Sequence, residues 1–76
     1  MTETTTAFKA RRLDLGLTQQ DLADACLDLG VLVSDSQISK IERDKSTPLP
    51  GLRRALKEIL GDDPVILQRR QAEVAV

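Results

Sequence analysis

The chain has 76 residues, of which 41% are hydrophobic and 1% aromatic, and its formal net charge is −1. A chain of this length is read as one domain, 1–76, that buries only roughly 60% of its unfolded surface and gains from a partner chain. It has no histidine and one cysteine, Cys26, which excludes a Cys/His zinc site and an internal disulfide.

The punctuation predicts an all-α chain of five helices with its core over 6–72. Thr5 or Thr6 can cap a first helix that runs to about Leu15 and stops at Gly16. Thr18 starts the second, with Asp21 where a capping box usually has glutamate. Leu22, Ala23, Cys26 and Leu29 share one face of that helix, and Gly30 ends it. Val31-Leu32-Val33 reads as a buried connector. Ser34 caps the third helix, and Asp35 suits its first turn. Ile38 and Ile41 mark its buried side, leaving Ser36, Gln37, Lys40 and Arg43 on the other faces. Asp44 to Gly51, with Pro48 and Pro50, is a loop. A fourth helix runs from about Gly51 to Leu60, striped by Leu52, Ala55, Leu56, Ile59 and Leu60. Asp63-Pro64 starts a fifth, running to about Ala72. The tail from Glu73 to Val76 is expected to fray.

Charge is segregated along this pattern. The second helix carries Asp21, Asp24 and Asp28 and no positive residue. Between Asp35 and Lys57 six positive residues meet three negative ones, a balance of +3. Lys9, Arg11 and Arg12 form a second basic cluster. A chain with net charge −1 can therefore still present one positive face. The sequence offers no paired-carboxylate site and no Gly-rich phosphate loop, so no catalytic residue, cofactor, metal or small-molecule ligand is expected. No apolar run approaches the ~18 residues of a membrane span. The first six residues lack the basic and apolar regions of a signal peptide. A single thiol suits a reducing cytoplasm, the expected location.

The second and third helices have the parts of a helix-turn-helix over 18–43. One helix must lie in the major groove of DNA and another must brace it. Ala23 supplies a small residue where the two cross. Ser34 to Ile41 places apolar residues inward and short polar ones outward. Glutamine can bond adenine bidentately, and lysine can reach guanine or phosphate.

Gly16-Leu17-Thr18-Gln19-Gln20-Asp21-Leu22-Ala23 resembles the opening of the lambda-repressor/Cro-like helix-turn-helix family. Ser34, Ser36, Ile38, Ser39, Ile41, Glu42 and Arg43 resemble its recognition helix, and Pro48, Leu52, Leu56, Leu60 and Gly61 its fourth helix. The chain departs from the family in two places. About five residues are inserted between Leu22 and Ser34, and Asp44 stands where the family has glycine. The resemblance implies a short Cro-type repressor, bacterial or phage-encoded in a bacterial host, whose partner is a double-stranded DNA operator. By the same resemblance Asp35, Ser36, Gln37 and Lys40 would face base edges. Gln19, Arg43, Lys45, Ser46 and Thr47 would approach phosphates, although Asp35 can equally serve as a cap and 45–47 as plain loop. Arg12 would pair with Glu42, with Arg11 as the alternative. A homodimer on a palindrome is expected, since one such domain contacts only a few base pairs. Val65, Ile66 and Leu67 are consecutive and cannot all face one core, so they are the possible dimer contact, with Val74 and Val76 adding to it. The alternative is a protein-interaction module or antitoxin with the same fold and weak or no DNA binding.

Overall fold

Capping chemistry sets the helix boundaries in the computed structural model, which describes residues 2–75. The elements are β1 (Thr2–Thr6), α1 (Ala7–Asp14), α2 (Gln19–Asp28), α3 (Asp35–Glu42), α4 (Pro50–Leu60), α5 (Pro64–Arg69) and β2 (Gln71–Ala75). Thr6 caps α1 by accepting from the Lys9 amide. Thr18 and Asp21 form a reciprocal capping box on α2. Ser34 accepts from the Gln37 amide at the start of α3. Asp63 accepts from the Val65 amide, and Pro64 opens α5. Each of these bonds satisfies an amide that the first helical turn leaves without a partner.

The fold is all-α, with one small antiparallel sheet that the sequence pattern did not predict. β1 pairs with β2 in the register Thr2↔Ala75 to Thr6↔Gln71. The fifth helix therefore ends at Arg69 rather than near Ala72, and the tail from Gln71 to Ala75 is a paired strand rather than a frayed end. The Ala7 amide extends the ladder by donating to the Arg70 carbonyl at 2.9 Å. Val76 lies outside the described residues.

Phe8, Leu22, Cys26, Ile38, Ile41 and Leu56 form the fully buried centre, closed by Ala23, Leu52, Ala55, Leu60 and Leu67. Apart from Phe8 and Cys26 this core is aliphatic, and it joins all five helices. Two expected core positions face out. Leu29 sits on the cap residue beyond α2 and is 43% exposed, because its backbone has left the helical stripe. Leu32 is not part of a buried connector. Its neighbours Val31 and Val33 pack on the core while Leu32 is 87% exposed.

Candidate nucleic-acid interface

The outward face of α3 is polar and open. Asp35, Ser36, Gln37 and Lys40 are all exposed, whereas Ile38 and Ile41 are buried beneath them. The helical period produces this division: apolar residues three apart point one way, and the residues between them point to solvent. α2 packs against α3, and Ala23 of α2 is buried in the core. The Asp35 carboxylate bonds the Ser36 amide at 2.8 Å, so it takes part in the helix start.

α3 is fixed from below by three polar contacts. Arg12 donates through Nε to one Glu42 carboxylate oxygen at 2.8 Å and through Nη2 to the other at 3.1 Å. Its Nη1 donates to the Leu17 carbonyl at 2.7 Å. Both residues are buried, at 7% and 3% exposure. Such a bidentate pair orients α3 against α1 more than it adds stability. Arg11, the alternative partner, turns instead to Asp62 at the surface. The Thr6 hydroxyl donates to the Glu42 carbonyl at 2.6 Å.

The third contact comes from a residue that the sequence reading missed. Gln68, on α5, is 3% exposed, and its Nε2 donates to the carbonyls of Ile41 (2.9 Å) and Ser46. It ties the end of α3 to the loop that follows. Its signal was its place on the buried stripe that starts at Pro64, with Leu67 three and Gln68 four residues on.

That loop starts from a left-handed turn. Asp44 has φ +58°, the single positive φ outside glycine among the described residues. The Asp44 amide donates to Ile41 and the Lys45 amide to Lys40, which is the Schellman pattern usually closed by glycine. Asp tolerates this backbone better than most residues. The turn brings Arg43, Lys45 and Thr47 out beside α3 as exposed residues, with Ser46 half-buried. No ion pair among the described residues engages Lys40, Arg43 or Lys45. By contrast, pairing neutralises two members of the basic cluster on α1, since Arg12 meets Glu42 and Arg11 meets Asp62.

Gln19 is the first residue of α2 and is half-buried. The capping box leaves the Gln19 and Gln20 amides as further donors at that helix end, a position that favours an anion. The Asp21 carboxyl shares this end and works against an anion. Hydrogen bonds from the Thr18 amide and then the Thr18 hydroxyl hold its pKa below the usual carboxylate value. The three residues weighed as a dimer contact separate. Leu67 belongs to the core at 4% exposure, Val65 is half-buried, and Ile66 is 48% exposed.

Among the described residues no group of three or more His, Cys, Asp or Glu side chains is placed to hold a metal ion. Cys26 is buried, and burial pushes its thiol pKa up. Among the described residues no helix is long and apolar enough to cross a membrane. In comparisons with known proteins, the helix-turn-helix family matches residues 8–61. No curated protein matches the chain, and no solved structure does.

Proposed function

The chain belongs to the lambda-repressor/Cro-like helix-turn-helix family of DNA-binding regulators, and on that premise we propose that it is a sequence-specific repressor that reads the major groove with α3. The observation that carries this reading is the exposed face Asp35-Ser36-Gln37-Lys40 on a helix whose far side is clamped by Arg12 and Gln68. A base reader must be held still, because misplaced donors lose bidentate contacts. In this reading Gln37 and Lys40 address base edges, and Arg43, Lys45, Ser46, Thr47 and Gln19 address the phosphates on either side.

The repressor acts as a homodimer on a palindrome, with recognition helices about 34 Å apart. The exposure of Ile66, flanked by half-buried Val65, supports α5 as the contact. Cytoplasmic location and a bacterial or phage source belong to the same proposal.

The test is selection of a binding sequence from random duplex DNA, followed by two variants. Gln37→Ala lowers affinity for the selected duplex by ~1–3 kcal/mol and relaxes one base pair. Lys45→Ala weakens all duplexes alike and makes the salt dependence shallower by about one unit. The net charge of −1 favours a second reading, a protein-interaction module or antitoxin with the same fold and weak or no DNA binding. That reading predicts at most weak retention on random duplex DNA at low salt, with no binding sequence selected.

A further inference from the structure

Leu32 is the most exposed large apolar side chain among the described residues, at 87%. Its setting is fixed. The Val31 amide donates to the Cys26 carbonyl at 2.9 Å, and Val31 and Val33 both pack against the core. From Val31 to Ser34 the residues alternate half-buried, exposed, half-buried, exposed, as an extended chain does. Leu32 and Ser34 therefore leave the chain on one side. Ser34 caps α3, so Leu32 is presented about 7 Å along the chain from the helix start.

The α4 side of the domain does not cover it. Val31 lines the groove against Gly51 and Ala55, and the alternation turns Leu32 away from that groove. Two residues further on, Ser34 on the same side of the chain caps α3, whose first residues Asp35, Ser36 and Gln37 are exposed. A leucine held in water gains free energy when a partner covers it. In the major groove the apolar feature on offer is the C5-methyl group of thymine.

We infer that Leu32 is a specificity-determining residue that packs on a thymine methyl beside the bases read by α3; this rests on the DNA-reading role proposed above. It lies among the residues inserted between α2 and α3, so the shorter turn usual in the family has no counterpart for it.

The experiment uses the full chain and the duplex it selects from a randomised pool, with each thymine replaced in turn by deoxyuridine, which lacks the methyl group. The wild-type protein loses about fourfold in affinity at one thymine per half-site, the worth of one buried methyl. Leu32→Ala has already lost that factor on the thymine duplex and no longer distinguishes the two bases there. Leu32→Met retains the discrimination, and the melting temperature of both variants stays at the wild-type value. The inference is overturned if Leu32→Ala keeps full deoxyuridine sensitivity at every position, or if its loss is equal on thymine and deoxyuridine duplexes. Selection of no sequence at all would overturn the base-reading role itself, and the Leu32 contact with it.

Discussion

Replacing Glu42 by alanine tests the brace beneath α3. The substitution removes the acceptor of two bonds from Arg12, a residue that is 7% exposed. One partner of a buried pair stranded in this way costs ~3–5 kcal/mol. Arg12 keeps its bond to the Leu17 carbonyl, which places the cost near the lower end, about 3 kcal/mol. Set against a total of ~4–11 kcal/mol for a domain of this size, that loss is a large share. At ~4–8 °C per kcal/mol, the melting temperature falls by roughly 12–25 °C. The double variant Arg12→Met/Glu42→Leu removes both charges and fills the space, and its remaining loss is the donor to the Leu17 carbonyl, so it melts well above Glu42→Ala and within several degrees of wild type. Circular-dichroism melts and urea titrations of the three proteins give the comparison. A Glu42→Ala melt within two or so degrees of wild type, or a double variant as unstable as the single, would refute the argument.

Gln68→Leu keeps the side-chain volume but leaves the Ser46 carbonyl without its Gln68 donor and the Ile41 carbonyl with the Asp44 amide in place of two donors; stability falls by ~1–3 kcal/mol, and amide exchange at Lys45 speeds up as the loop loosens. Asp44→Gly removes the steric cost of the left-handed turn, offset in part by glycine's unfolded-state entropy; a net gain of ~0.5 kcal/mol raises the melting temperature by a few degrees, and loss of the carboxylate strengthens binding to any duplex, most at low salt. Asp21 and Asp63 have carboxyl pKa values lowered, the first chiefly by the Thr18 amide and the second chiefly by the Arg53 side chain. Their contributions are complete above the ordinary carboxylate range and are lost as pH falls through the lowered values. Melting temperature is therefore insensitive to these groups above about pH 5 and declines below about pH 4, with a shallower decline in Asp21→Asn/Asp63→Asn.

Features set by neighbours in sequence were legible. Thr18, Ser34 and Asp63 announce helix starts because a cap acts over three residues. The face of α3 follows from the spacing of Ile38 and Ile41. What escaped depends on partners distant in the chain. Thr2–Thr6 has β-branched residues, yet its strand exists because Gln71–Ala75 lies alongside. The apolar run 31–33 gave no sign of which member would face out, since that is decided by where α2 ends and α4 packs. Gln68 stood on an apolar stripe, but its acceptors belong to another helix and its loop.

The pairing of β1 with β2 has a consequence for how the chain reaches its folded state. It joins segments separated by nearly the whole chain, whereas each helix forms from contacts within a few residues. Closing so large a loop pays its entropy before any strand bond repays it. A two-stranded ribbon is marginal alone, so the helices must assemble first and hold the chain ends together. The ribbon then forms last and opens first. In native-state exchange its amides form a unit of low protection that opens without the helical core, while the amides of α2 and α4 exchange only with global unfolding.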